Sequence, residues 1–251
     1  MKFQVISDLH LEYKQNLLYC DTFLTSCCDT LLVAGDLCNL NSACHKEWLR
    51  DILLTRWKHV IVTPGNHDYW GLHLSDSRMH RMCDLYNLFD GKIQWLHNSH
   101  IDLDNVRIIG TTLWSNLVMK SLFSSFSDIV KIHGFTVDEF NKLHTECVNY
   151  LRQALSDVPS GMRVIVLTHH LPCWSLVDLV YIRDRFSEAW ACTDMNDLLL
   201  EYGDIIDYWV YGHSHEFRDD SFYNIRFIRN PLGYVGLGQQ NTFKKSFVIK
   251  I

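Results

Sequence analysis

Five short stretches of this chain concentrate side chains that bind metal ions. They are Ser7-Asp8-Leu9-His10, Gly35-Asp36-Leu37-Cys38-Asn39, Pro64-Gly65-Asn66-His67-Asp68, Thr168-His169-His170 and Gly212-His213-Ser214-His215. Taken singly most are weak signals. Asp-x-His recurs by chance, and Gly-Asn-His-Asp suits a tight turn because Asn and Gly tolerate left-handed backbone. Together, Asp8, His10, Asp36, Asn66, His169, His213 and His215 form a mixed oxygen and nitrogen donor set with no thiolate. Seven donors are too many for one ion and suit two, with a carboxylate between them. Two ions about 3.5–4 Å apart can share a bridging hydroxide and clamp the attacking and leaving oxygens of an in-line displacement at phosphorus. Carboxylate and carboxamide oxygens beside imidazoles favour manganese, with iron or zinc as alternatives, over copper.

Such residues need elements to aim them. Short β-branched runs at Phe3–Ile6, Leu31–Ala34, Val60–Thr63, Val106–Ile109, Val164–Thr168 and Tyr208–Tyr211 predict strands buried on both faces. Helical patterns are predicted between them: Cys44–Trp57, a stretch from the capping box at Thr136 to about Ser156, and Asp194–Tyr202 stopped at Gly203. Alternating strands and helices predict an α/β layered domain, in which ligands bind beyond the carboxyl ends of the strands. Every motif falls at such an end. The carboxyl-terminal part predicts two further strands, Phe222–Arg229 and Phe243–Ile251, joined by the loop Asn230–Gly238.

The 251 residues, 47% hydrophobic, suit a single domain over 1–251 with no linker, repeat or low-complexity tract. With 23 basic and 29 acidic residues the net charge is −6, which lacks the broad basic footprint of a nucleic-acid binder. The 9 cysteines are odd in number and contain no C-x-x-C pair, which suits reduced thiols in a cytoplasmic protein. No apolar run approaches a membrane span, and the first strand starts too early for a cleavable signal.

The ordered set Asp-x-His, Gly-Asp, Gly-Asn-His-Asp, His-His and Gly-His-Ser-His, spanning Asp8 to His215, resembles the calcineurin-like metallophosphoesterase superfamily. The resemblance implies a four-layer α-β-β-α sandwich of two mixed β-sheets flanked by helices. It implies that Asp8, His10 and His215 hold one metal, that Asn66, His169 and His213 hold a second, and that Asp36 bridges them. It also implies that a metal-bridging hydroxide attacks the phosphate and that His67 assists the leaving group, a task suited to an imidazole of near-neutral pKa. His169 is the expected ligand of its pair; His170 either lines the substrate pocket or packs.

Departures from the family pattern bear on the substrate. The protein phosphatases of the superfamily carry Gly-Asp-x-x-Asp-Arg-Gly, whose arginine grips a phosphomonoester. Here that stretch reads Gly35-Asp36-Leu37-Cys38-Asn39-Leu40-Asn41. Losing a bidentate donor removes a monoester-selective contact, so a phosphodiester is expected, with a phosphomonoesterase or a non-catalytic scaffold as alternatives. Asn39 also removes a carboxylate that the resemblance would place behind His67, a role that Asp68 or another group could fill and that the sequence does not assign. The expected substrate is a phosphorylated small molecule or nucleotide-like compound. Trp70 and Trp174, close after Asn66 and His169, are the aromatics best placed to stack on it. Segments 113–134 and 173–192, the latter carrying Arg183 and Arg185, read as cap-like insertions over the site. Cys38 and Cys173 lie beside the expected metals as bystanders.

Overall fold

The computed structural model describes residues 1–39, 48–73, 92–117, 126–179 and 194–251. In the first sheet β1 (Lys2–Ile6), β2 (Thr30–Ala34), β3 (His59–Thr63) and β4 (Ile93–Trp95) run parallel, with β11 (Val248–Lys250) antiparallel to β1. In the second, β6 (Val106–Thr111), β7 (Arg163–Thr168), β8 (Ile206–Tyr211) and β10 (Ile225–Arg229) run parallel. Its edges are antiparallel: β5 (Ser99–Leu103) on β6, and β9 (Arg218–Phe222) on β10.

Both sheets are therefore mixed, and the alternation of strand side chains stacks them. Leu32 and Ala34 of β2 and Ile165 and Leu167 of β7 point into one cluster between the sheets, together with Val5, Ile108, Val210 and Ile228. The opposite parities point outward. Leu31 and Val33 meet Cys20 of α1 (Lys14–Phe23) and the Trp48 and Trp57 side chains. Val164 and Val166 meet Phe140, Leu143, Cys147 and Leu151 of α4 (Val137–Ser156). This is the expected four-layer sandwich. It follows directly from strands that are apolar at consecutive positions: both faces must be covered.

The helix at Thr136 begins as its sequence requires, the Thr136 hydroxyl accepting the Glu139 N–H at 3.2 Å. A shorter helix, α3 (Ser127–Lys131), precedes it. Helix α5 (Asn196–Tyr202) ends at Gly203, although the reason differs from a left-handed cap. Gly203 has φ of −57°, and a Cβ there would lie 2.3 Å from the Tyr223 carbonyl oxygen. Close approach, not backbone twist, selects glycine.

Three expectations need correction. The Phe222–Arg229 run belongs to a hairpin, because Tyr223 and Asn224 both take positive φ (51° and 61°) and turn β9 back into β10. Of Phe243–Ile251 only Val248–Lys250 pairs as strand. In place of a regular helix to Trp57, a π-type stretch at Leu49–Leu53 leads into one α turn, α2 (Leu54–Arg56); residues 44–47 lie outside the described residues. So do parts of the two expected insertions, 118–125 and 180–192, with Arg183 and Arg185. No helix among the described residues is long and apolar enough to cross a membrane.

Candidate metal centre

The strand ends are locally strained. Asp8, His10, Asp36 and His213 have φ of 53°, 48°, 50° and 71°. A non-glycine residue held left-handed costs about 1–3 kcal/mol and persists only where its surroundings fix it. Here backbone hydrogen bonds do so beyond the end of the sheet. The N–H of Asp8 donates to Gly35 O at 3.0 Å, that of His10 to Asp36 O at 3.0 Å, and that of Leu11 to Leu37 O at 3.1 Å. Asp68, one candidate for orienting His67, instead staples these loops together. Its carboxylate accepts the N–H groups of Asp36 (3.0 Å), Cys38 (3.1 Å) and Gly65 (2.7 Å). Burial and the Asp36 carboxylate push Asp68 up to about 8.

The side chains then converge. His10 Nε2 lies 3.2 Å from His215 Nε2 and 3.8 Å from Asp36 Oδ2, and His215 Nε2 lies 3.5 Å from Asp8 Oδ1. On the other side of Asp36, its Oδ2 is 3.4 Å from His169 Nε2, which is 3.0 Å from Asn66 Oδ1 and 3.1 Å from His213 Nδ1. All seven expected ligand residues thus meet, with Asp36 between the two groups. Donors bound about 2.0–2.2 Å from one ion lie roughly 3 Å from each other, so these separations fit coordination.

Ring orientation supports the fit. His10, His169 and His215 direct their Nδ1 atoms outward to acceptors: Glu12 Oε1 (3.3 Å), Ala34 O (3.0 Å) and Gln239 Oε1 (2.7 Å). An Nδ1–H held in this way leaves the Nε2 lone pair facing the centre, which is how ligating imidazoles are prepared. Burial raises the Asp36 carboxyl, but His169 and His67 outweigh it and hold Asp36 well below the usual carboxylate range. Burial keeps the His213 ring well below its ordinary value.

Next to the centre is a cavity of about 190 Å³. His67, Trp70, Phe126 and Tyr234 line it beside Asp36 and His215. His67 stacks on Trp70 with ring centroids 3.3 Å apart, and its backbone N–H donates to Asp36 Oδ1 at 2.8 Å. The expected pocket role of Trp70 is therefore compatible with its position. Trp174 is 39% exposed and is not among the residues lining this cavity. His170 is also absent from the lining. It packs 4.3 Å from the His213 ring and 5.4 Å from Trp114, with Nδ1–H donating to Thr112 O and burial pushing it down to about 3. Cys38 and Cys173 are buried and belong to none of the candidate metal groups.

Besides Gln239, three described residues that join this site, Glu12, Asp128 and Tyr234, did not stand out in the sequence. Glu12 sits between His10 and His67, Oε1 lying 3.3 and 3.0 Å from their Nδ1 atoms. Asp128, on α3, accepts from Asn66 Nδ2 at 2.8 Å and from Trp70 Nε1 at 2.7 Å. Tyr234 places its hydroxyl 3.3 Å from His67 Nε2. Its loop is stitched to the end of β1, the N–H groups of Leu232 and Gly233 donating to Ser7 O and Asp8 O. Of the three, only Glu12 carried a local signal, since Asp8, His10 and Glu12 alternate with Leu9 and Leu11, both of which are buried.

Comparison with known proteins bears on the family and the fold. A protein of Acanthamoeba polyphaga mimivirus is 29% identical over 263 residues, covering 91% of this chain and 90% of that protein. The crystal structure of the phosphopantetheinyl hydrolase of Mycobacterium tuberculosis superposes with a TM-score of 0.74 at 20% identity, covering 100% of this chain and 95% of that one. That likeness shows a shared fold. Residues 1–217 match the calcineurin-like phosphoesterase family, and the chain belongs to that family of metal-dependent phosphoric ester hydrolases.

Proposed function

We propose that this protein is a dinuclear metal-dependent phosphodiesterase in which His67 assists the leaving group. One observation carries the reading: donors from six strand-end positions and one shared carboxylate, Asp36, gather into two adjoining groups. Asp8, His10 and His215 would hold one ion and Asn66, His169 and His213 the other, with Asp36 common to both. Manganese suits this donor set first, with iron or zinc next. Bound there, divalent ions supply positive charge for the phosphate and lower the pKa of water.

The chain's own residues do the rest. His67 lines the cavity, and its Nε2 lies 3.3 Å from Tyr234 Oη, another residue of the lining. In the doubly protonated ring, with Nδ1–H held by Glu12, the Nε2 proton passes to the oxygen that departs as the P–O bond breaks, while water supplies the oxygen that remains on phosphorus. Trp70 fixes the ring from one face. No Arg or Lys is among the described residues lining the cavity. A phosphomonoester carries about −1.5 to −2 charge at neutral pH and usually recruits such a cation; a singly charged diester does not need it. The whole of 1–251 is read as one catalytic domain.

The test is a substrate panel on chain loaded with manganese, iron or zinc. It compares bis(p-nitrophenyl) phosphate, p-nitrophenyl phosphate, cyclic nucleotides, pyrophosphates and a phosphopantetheinyl ester, the last suggested by the Mycobacterium tuberculosis hydrolase. The expected result is about two ions per chain and faster turnover of diesters than monoesters. Fewer than one ion per chain, with no hydrolysis under any loading, would refute the proposal.

A further inference from the structure

The family pattern puts a carboxylate behind the histidine that serves the leaving group, and here the corresponding position is Asn39. The geometry points to Glu12 as the positioning residue that takes over this task from a different loop. The inference rests on the proposed role of His67.

Glu12 is held at three points. Oε1 accepts from His67 Nδ1 at 3.0 Å and from His10 Nδ1 at 3.3 Å. Oε2 accepts the backbone N–H of Asn39 at 3.3 Å. The substituted position thus keeps a part in the arrangement, its main chain holding the carboxylate that its side chain no longer supplies. The Glu12 side chain is only 14% exposed, so the contact with His67 is shielded from solvent.

These contacts determine which nitrogen of His67 does chemistry. A carboxylate cannot donate, so the Nδ1 it faces carries a proton in both the neutral and the doubly protonated ring, and only the proton on Nε2 is exchanged with the cavity. Nε2 is then the atom turned to the cavity and Tyr234. Trp70 stacked at 3.3 Å and the edge of His10 at 4.4 Å keep the ring from rotating out of this pose. The trio His10, Glu12 and His67 could in principle gather round an ion. However, His10 directs its other nitrogen, Nε2, at His215 and Asp36, so Glu12 stands behind a ligand and is better described as its hydrogen-bond acceptor.

One carboxylate oxygen therefore serves two histidines with different duties, and the experiment must separate them. Glu12→Gln, Glu12→Ala and the conservative Glu12→Asp would be prepared in the full chain. Each would be assayed on two methyl aryl phosphodiesters, one releasing p-nitrophenol and one releasing phenol. If Glu12 positions His67, Glu12→Gln lowers kcat on the phenyl ester by about 100-fold or more, the scale of general-acid assistance. The p-nitrophenyl ester, which needs little protonation, falls far less; KM and metal content hold, and Glu12→Asp recovers part of the loss. Equal loss on both esters, or loss of metal in parallel with activity, would overturn the assignment and leave Glu12 as a support for His10 alone.

A second readout needs no turnover. In nitrogen-resolved NMR spectra of the histidine rings, with and without diamagnetic zinc, His67 is expected to carry its proton on Nδ1. In Glu12→Ala that proton redistributes to Nε2. An unchanged His67 ring in Glu12→Ala would equally overturn the proposal. Should the parent chain hydrolyse no phosphodiester, the proposed function falls, and the ring spectra still decide what Glu12 does.

Discussion

Asn66 gives its Nδ2–H to Asp128 Oδ1 at 2.8 Å, and this turns its own Oδ1 to within 3.0 Å of His169 Nε2. A carboxamide is nearly symmetric in shape but not in chemistry: one end attracts a cation and the other repels it. Asp128 selects the end, and Trp70 Nε1 donating to the same oxygen at 2.7 Å holds Asp128 in place. Asp128→Ala is expected to weaken metal binding about 10–100-fold, as loss of an outer hydrogen-bond partner typically does. The weakening should fall on one ion of the pair. Chelator competition followed by calorimetry would register it.

Gly65 sets a second expectation. A Cβ at this position would lie 2.1 Å from Asp36 Oδ1 and 2.5 Å from the Asp36 backbone nitrogen. Asp36 cannot withdraw, because its N–H is tied to Asp68 and its Oδ1 to His67 N–H. Gly65→Ala should therefore displace the carboxylate common to both donor groups and reduce uptake of both ions together. Metal analysis beside circular dichroism would distinguish that outcome from plain unfolding, in which the spectrum would change as well.

Tyr234 offers a gentler perturbation. Its ring packs 4.6 Å from His10 and 5.3 Å from Tyr13, while its hydroxyl reaches the cavity. Tyr234→Phe keeps the ring and removes only the hydroxyl facing His67 Nε2. A KM raised several-fold with kcat within about 3-fold of the parent is expected, the loss of one neutral hydrogen bond. Steady-state kinetics on the best diester would measure it.

A fourth prediction concerns stability against pH. Burial holds the half-buried His97 ring down to about 4. The folded ring stays neutral while the unfolded chain takes up a proton below its ordinary value near 6.5. The contribution of His97 is therefore complete above about pH 6.5 and is lost as pH falls toward 4. Its ceiling is about 3 kcal/mol, reduced by solvent screening of a ring that is not fully enclosed. Urea titrations from neutral pH down to about pH 4 should show His97→Gln losing less stability over that interval than the parent.

The seven ligand-type residues were readable because each follows directly on a run of β-branched or apolar residues, and a strand end is a local feature. The sandwich was readable for the same reason, since Leu31 to Ala34 and Val164 to Leu167 are apolar at both parities and require cover on both sides. What escaped was everything fixed by contacts distant in sequence. Asp128 lies 62 residues from Asn66 and has the appearance of any acidic residue opening a helix. Tyr234 lies 167 residues from His67 and reaches it only because its loop bonds to the end of β1. His169 and His170 show the limit within a single dipeptide. Neighbours at a strand end diverge, and only the tertiary structure reveals that His170 meets Trp114 and Thr112 instead of the cavity.

Asp8, Asp36 and Asn66 hang from the first sheet, whereas His169, His213 and His215 hang from the second. An ion shared between them would act as a rivet through the seam where the two sheets meet. Neither sheet could move away without surrendering it, so loading would reinforce the apolar cluster that already joins the two layers. At a free ion concentration one hundred times Kd, that rivet would add about 2.7 kcal/mol to the folded state.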